Sequence, residues 1–439
     1  MIASLERCRS LPIQLRVERP FSDVVLDDIL LHGKKVVSLT VNHRPYEVPR
    51  LHQLLTSSGP HLERLHICVQ SLWGQVTQEP TMDEVWKGLP SLRKLFVNRY
   101  SFPVDQLAAP NLIHLALDHA GHGQNVTVET ILDMLRQFPL LETLLLAYSE
   151  ILPTRTAHDH SQLCLPHLRS IEVGTHEIRC GLVTHLDFPK NITAGFRVMR
   201  LSDTLGDIPP AVTAAMQHVL GRIDIDRITL AMAPNLRAKG NMKLLVRLEG
   251  PQDSLEMNIG SIRPAKLPAL FGPHGVLFPH KSRFEDVKEL HIINCSLDDI
   301  QELHPLTVAM PNVVSISFSN CSGTHMSELL APSHPSSPPF PHLERVMVLG
   351  GESGLEGMAR RRRELGVRLK ALFIGPGPEP SRRGRRGDYT MLKGLVDELQ
   401  VGCPVQTLEW GARNEIANVW STVIAPGQVS PMRILVVWP

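Results

Sequence analysis

Apolar and polar positions along this chain fall into one recurring phrase. In GLPSLRKLFV, residues 88–97, a proline is followed by Leu92, Leu95 and Val97 with polar residues between them. SGPHLERLHI from Ser58, AAPNLIHLAL from Ala108, QFPLLETLLL from Gln137, CLPHLRSIEV from Cys164 and PFPHLERVMV from Pro339 repeat the pattern. Its leading apolar position falls at Val36, Leu62, Leu92, Leu112, Leu141, Leu168, Val287, Val313, Leu343 and Leu369, with a last copy at Val405. Alternation with period two predicts a short strand in each copy, one face toward a core. Between copies the period becomes helical. TVETILDMLRQFP puts Val128, Ile131, Leu132 and Leu135 on one face, TMDEVWKGLP opens with a Thr81-x-x-Glu84 capping box, and SLDDIQELHPL opens at Ser296. The proline heading each phrase is expected to stop the helix and extend the chain.

Two copies extend the pattern. VKELHIINCSL places Val287, Leu290, Ile292, Cys295 and Leu297, and VVSISFSNC places Val313, Ile316, Phe318 and Cys321. The template L-x-x-L-x-L-x-x-N/C-x-L, recurring roughly every 20–30 residues, is that of a leucine-rich repeat. The expected fold is therefore an α/β leucine-rich-repeat solenoid. It would be curved, with parallel strands on the concave face and helices and irregular turns on the convex face. Asn294/Cys295 and Asn320/Cys321 are expected to bond the backbone of adjacent coils. That role also accounts for two of the sequon asparagines, and Asn125 and Asn191 are read as chance matches.

The template fades between 181 and 283, where Val183–Leu186–Phe188 and Ile225–Ile228–Leu230 preserve fragments. MKLLVRLEGPQDSLEMNIGS alternates on both sides of a GPQD turn and reads as a β-hairpin. Three regions of one continuous solenoid follow: N-terminal repeats over 1–180, degenerate β-rich repeats over 181–283, and C-terminal repeats over 284–439. LAPSHPSSPPFP and GPGPEPSRRGRRGD are expected to be loops.

Composition narrows the setting. Of 439 residues 43% are apolar, enough for a sizeable core, and 45 basic against 44 acidic residues leave a net charge of +1 that steers no particular partner. Apolar runs such as LLLA and ILVVW are far shorter than the ~20 residues of a membrane span, so no membrane partner is expected. Glu6, Arg7 and Arg9 stand where a secretory signal would be apolar, and 7 cysteines without a CxxC suit a reducing compartment. The cytoplasm or nucleus is the expected location.

Candidate chemistry is sparse. VLGGESGLEGMARRRRELG reads as strand, glycine-rich turn and helix, but Gly350, Gly351, Gly354 and Gly357 miss the G-x-G-x-x-G order, and Glu352 and Glu356 would repel phosphate. Arg360, Arg361, Arg362 and Arg363, with Arg382, Arg383, Arg385 and Arg386, form the strongest charge cluster. No aromatic residue interleaves these arginines, which argues against nucleic acid and for a solvated helix end. His158, His160 and Cys164 lack the further ligands of a zinc site. Asp118, His119 and His122 have no G-x-S-x-G partner. No catalytic, cofactor-binding or metal-binding set emerges, and the chain is read as a non-enzyme without a cofactor. Binding is instead expected on the outward residues of the strands: Arg64, His66, Lys94, Phe96, His114, Ala116, Ser170, Glu172, Glu289 and His291.

LERCRSLPIQLRV, FPLLETLLL and MARRRRELGVRLKALFI resemble the leucine-rich-repeat part of the F-box-like proteins of mushroom-forming fungi. That resemblance implies a substrate-recognition region of ubiquitin-ligase adaptor type. An F-box reads L-P-x-E-L before an apolar helix, and no such phrase precedes Leu5, so docking to a Skp-type adaptor is expected only if an F-box is supplied elsewhere. Two other readings stand beside this one. One is a nuclear, nucleic-acid-associated protein using the arginine clusters, and the other is a nucleotide-binding enzyme using the turn near Gly351.

Overall fold

The computed structural model of the chain describes residues 12–17, 27, 30, 36–43, 48–69, 86–98, 107–118, 127–147, 162–175, 181–198, 210–234, 242–262, 270, 284–294, 303–321, 323–330, 339–350, 354–375 and 389–401. Its strands are β1 (Ile13–Val17), β2 (Val36–His43), β3 (Arg64–Val69), β4 (Lys94–Asn98), β5 (His114–Asp118), β6 (Thr143–Ala147), β7 (Leu163–Cys164), β8 (Ser170–Thr175), β9 (Leu186–Asp187), β10 (Thr193–Val198), β11 (Arg227–Pro234), β12 (Met242–Glu249), β13 (Ser254–Ile262), β14 (Glu289–Ile293), β15 (Ser315–Ser319), β16 (Arg345–Leu349), β17 (Ala371–Gly375) and β18 (Glu398–Val401). Helices are fewer: α1 (Val48–Ser58), α2 (Val128–Leu135), α3 (Gly181–Thr184), α4 (Pro210–Leu220), α5 (His304–Ala309), α6 (Gly323–Leu330), α7 (Leu355–Glu364) and α8 (Thr390–Lys393). Among the described residues 16 strands form one large, mostly parallel sheet, and β7 and β9 pair separately. The fold is thus α/β. The chain divides into two compact units, residues 1–290 with 301–310 and residues 291–300 with 311–439.

In the first unit β1 to β6 follow one another, then β8 and β10, all parallel. Register makes the repeat physical. Leu39, Leu65, Leu95, Leu115, Leu144 and Ile171 align across the strands, and Val41, Ile67, Val97, Leu117, Leu146 and Val173 form the next aligned row. All are buried, as are the leading residues Val36, Leu62, Leu92, Leu112, Leu141 and Leu168. Each contributes about 1.5–3 kcal/mol by leaving water, which is what orders strands too short to stand alone.

The helices α1 and α2 do stop before Pro60 and Pro139, but the chain at the prolines does not extend as expected. The amide of each leading leucine donates to the carbonyl three residues earlier: Leu62 to Gly59, Leu92 to Leu89, Leu112 to Ala109, Leu141 to Phe138 and Leu168 to Leu165. Pro60, Pro90, Pro110, Pro139 and Pro166 occupy the second position of these turns, where a fixed φ near −65° favours the bend. They do not extend the chain; they close a β-turn that aims the leucine inward. Successive turns stack. Ser91 Oγ donates to the Pro60 carbonyl at 2.7 Å, and Asn111 Nδ2 to the Pro90 carbonyl at 2.9 Å. A Cβ at Gly59 would sit 2.7 Å from the Gly88 carbonyl oxygen, so glycine permits this close approach. Each turn is followed by a forked bond. The Glu63 carbonyl accepts from the amides of Arg93 and Lys94, that of Arg93 from Ile113 and His114, and that of Glu142 from Arg169 and Ser170.

Helix α2 follows its pattern. Thr127 caps it by accepting from the Thr130 amide at 3.3 Å, and Val128, Ile131, Leu132 and Leu135 are buried together with Met134. Trp86 is also a core residue. The Thr81–Glu84 capping box and Ser296 lie outside the described residues.

The fading region departs from simple succession. β10 pairs with β13, which pairs antiparallel with β12, which pairs antiparallel with β11. The chain therefore passes two positions in the sheet, lays down β11, and returns through the hairpin to fill the gap. Of the two fragments, Ile225, Ile228 and Leu230 are buried and belong to β11 and its approach. Val183, Leu186 and Phe188 are buried too, but Leu186 lies in β9 of the small sheet. The main-sheet strand here is β10, where Ala194 and Phe196 align with Ile171 and Val173.

In the second unit β15, β16, β17 and β18 are parallel and in register, with Ile316, Val346 and Leu372 in one buried row and Phe318, Val348 and Ile374 in the next. The strand exits are left-handed: φ is 56° at Asn294, 54° at Asn320 and 79° at Gly350. Asparagine and glycine tolerate this region best. The Asn294 amide donates to the Ser319 carbonyl, the Asn320 amide to Leu349, and Asn320 Nδ2 to Asn294 Oδ1 at 2.8 Å. Buried Cys321 directs Sγ at the Ile292 carbonyl, 3.5 Å away. Cys321 thus makes the expected side-chain bond to the backbone of an adjacent coil, while the Asn320 side chain meets the Asn294 side chain and the two asparagines reach neighbouring coils through their own amides; Cys295 lies outside the described residues.

Candidate functional site: the outward face of the sheet

Because side chains alternate across a strand, the rows that do not enter the core form a second, more open face. The burial of β4 shows the division: Lys94 is exposed and Phe96 half-buried, with Leu95 and Val97 buried between them. Register brings Arg64, Lys94 and His114 side by side, continued by Thr143 and Ser170. The next outward row is His66, Phe96, Ala116, Leu145 and Glu172. The His66 and Phe96 rings meet edge-on, 4.3 Å between centroids. His114 Nδ1 lies 3.1 Å from Thr143 Oγ1. Burial holds the His66 imidazole below the usual histidine range, and the Arg16 guanidinium adds to the shift. His114 is lowered by burial and then by Lys94, with Glu142 opposing and Arg93 reinforcing.

Glu289 belongs to a different neighbourhood. Its Oε2 is 2.8 Å from Arg227 Nε. Arg227 also lies 3.9 Å from Glu249, and Arg247 lies 3.9 Å from Glu249 and 2.7 Å from Glu256. Desolvation weakens the Arg227 charge, but Glu289, Glu249 and Asp226 together raise its pKa above the usual arginine value. His291, in the second unit, sits with Nδ1 2.6 Å from Ser317 Oγ.

The arginine run on α7 does not form one patch. Arg362 is buried, donating to the carbonyls of Leu330 at 3.3 Å, Pro339 at 2.9 Å and Phe340 at 3.0 Å. Burial pushes its guanidinium down to about 10, so it stays charged at neutral pH. It ties the end of α6 to the turn before β16, where Phe340 has a φ of 49°. Arg360 pairs with Glu356, and Arg363 donates to the Gly394 carbonyl at 2.9 Å. Only Arg361 of the four is exposed without a hydrogen bond or ion pair among the described residues. Nothing in the run's own spacing distinguished Arg362. The signal was the apolar stripe of Leu355, Met358 and Ala359, whose helical period Arg362 continues.

The glycine-rich turn near Gly351 does join a strand, β16, to a helix, α7. The Gly350 amide, however, donates to the Gly375 carbonyl, and Glu356 stands in the first turn of the helix. Gly351, Glu352, His119, His122, His158, His160, Trp73, Trp410, Trp420, Trp438 and Arg382–Arg386 lie outside the described residues. Asp118 accepts from Asn98 Nδ2 at 3.1 Å, and Cys164 is exposed on β7. Among the described residues no group of three or more His, Cys, Asp or Glu side chains could hold a metal ion, and no helix is long and apolar enough to cross a membrane.

No family model matches the chain, and no curated protein matches it. A solved structure described as the complex of Rad7 and Elc1 in yeast is similar at 11% identity, over 88% of this chain and 85% of that one, with a TM-score of 0.22. A score that low carries no argument about fold or function.

Proposed function

We propose that the chain is a non-catalytic protein-binding scaffold: a leucine-rich-repeat solenoid whose outward strand residues form a concave recognition surface. It would act as the target-recognition part of an F-box-like protein of ubiquitin-ligase adaptor type, in the cytoplasm or nucleus. A Skp-type adaptor enters only where an F-box is supplied. The observation that supports this reading is the in-register outward row across β3, β4, β5, β6 and β8. Parallel strands about 4.8 Å apart set side chains from distant repeats into one continuous, rigid surface. A partner can read such a surface without any reacting group.

The test places a photo-crosslinking residue at Lys94, His114 or Ser170, or at Asp133 on α2 and Arg136 at its C-terminal cap, in the full chain inside cells. The reading expects one protein crosslinked from the strand positions and absent from the helix positions. Crosslinks arising only from Asp133 and Arg136 would overturn it.

A further inference from the structure

The outward face treats its charges in two ways within the first unit. On β11, β12 and β13 both described arginines face carboxylates: Arg227 has Glu289 and Glu249, and Arg247 has Glu256 and Glu249. Around β3 and β4 the arrangement is the reverse. Arg64 and Lys94 are directly opposed in register, with Ser38 beyond one and His114 beyond the other. Neither forms an ion pair among the described residues. Like charges placed opposite each other destabilise a sheet, so this pair does nothing for the fold. Arg16 aligns with Thr40, and Thr40 with His66, which brings a third cation to the same face. Glu63, the nearest acid in sequence, precedes β3 on its turn and pairs with neither cation.

An apolar strip runs beside these cations. Phe96 is half-exposed and buttressed edge-on by His66, and Ala116 and Leu145 continue its row. Glu172 ends the strip's own row and Asp118 lies in the row beyond it, whereas Glu142 adjoins Thr143 on the side of the cations. A nucleic-acid backbone laid along these strands would set phosphates over the apolar strip, where they gain nothing. A chain that alternates carboxylate and apolar side chains fits both rows.

We propose that this patch docks an extended acidic peptide segment of a protein partner. Its carboxylates would lie over Arg64 and Lys94, and one apolar side chain over Phe96, Ala116 and Leu145. The inference rests on the protein-binding reading above and adds the chemistry of the partner.

The probe is a fluorescein-labelled peptide, Glu-Leu-Glu-Phe-Glu-Leu-Glu, read by anisotropy against the full chain. Its glutamine counterpart and an oligothymidylate of equal charge serve as comparisons. The acidic peptide is expected to bind most tightly and to weaken with salt over the range in which the Debye length falls from about 10 Å to about 3 Å. Combined Arg64→Glu and Lys94→Glu should weaken binding on the order of tenfold, as reversal of surface charge complementarity does. Phe96→Ala should weaken it with less salt dependence, and Arg136→Glu, on the helix side, should leave it unchanged. If the double reversal does not fold, Lys94→Gln alone carries the test, with a smaller loss expected. Equal binding of the glutamine peptide, or no loss in the variants, would overturn the proposal. Tighter, variant-sensitive binding of the oligothymidylate would replace it with a nucleic-acid surface. A partner crosslinked at Lys94 through a segment without acidic residues would sink this inference and leave the scaffold reading standing.

Discussion

The strands β3 to β5 and the strands β11 to β13 share an interior and differ on their open face. Inside, both stack aliphatic rows: Leu65, Leu95 and Leu115 in one, Ile228, Leu248 and Leu255 in the other. Outside, the first leaves Arg64 and Lys94 without an ion pair among the described residues, whereas the second answers Arg227 and Arg247 with Glu249, Glu256 and Glu289. Topology goes with this difference. In β3 to β5 each strand arrives by its own turn, so the forked bonds at Glu63 and Arg93 hold the register locally. The hairpin β12–β13 arrives late and reversed, and its charges read across the register from Glu249 to Glu289. The lesson is that the interior builds the sheet, while the charges on the open face are free to fasten strands in one region and not in the other.

The largest effects should be equal in the two regions. Leu115→Ala and Leu248→Ala should each cost ~2–5 kcal/mol in chemical denaturation, as buried leucine truncations do. A cost for Leu248→Ala below ~1 kcal/mol would mark the hairpin as an appendage to the core. Next comes a change confined to the hairpin. A Cβ at Gly250 would collide with the Asp224 carbonyl and the Asp253 carboxylate, so Gly250→Ala should destabilise by ~1–3 kcal/mol. Hydrogen exchange should then quicken in β11 to β13 and not in β3 to β5.

Smaller still is the charge contrast. Arg247→Gln should lower stability by up to ~1 kcal/mol at low salt, and Lys94→Gln should leave it unchanged or raise it slightly. Equal losses for both would remove the distinction. The smallest effect is one of pH. His66 and His114 titrate lower in the folded chain than in the unfolded one, so the unfolded chain binds more protons as pH falls below about 6.5. Stability should decline over that acid range, and His66→Gln should flatten the decline measured by denaturation at successive pH values.

What could be read beforehand was whatever the repeat states locally. Every leading position from Val36 to Leu369 is buried, α2 carries its apolar face where the helical period put it, and Cys321 meets the backbone of a neighbouring coil, because each follows from a few adjacent residues. The prolines were half-read: α2 does stop before Pro139, but the chain at each proline turns rather than extends, and only the partner of the following leucine's amide decides that. β10 escaped because Ala194 and Gly195 weaken its alternation. The reversed hairpin was recognised as a hairpin but not placed, since sheet order depends on which edges meet in space. Of the candidate site, the outward rows followed from period two. The pairing of Glu289 with Arg227 depended on a register that no short window contains, whereas the burial of Arg362 was signalled locally by the stripe of Leu355, Met358 and Ala359 and went unread.

The most direct test gives β4 the partner that β11 already has. His114 stands beside Lys94 in register, as Glu289 stands beside Arg227, so His114→Glu should let Lys94 form a cross-strand ion pair. The account predicts unchanged or slightly raised stability together with loss of binding to the acidic peptide. Full binding retained in a folded His114→Glu chain would contradict the claim that uncompensated charge on the open face is what a partner reads.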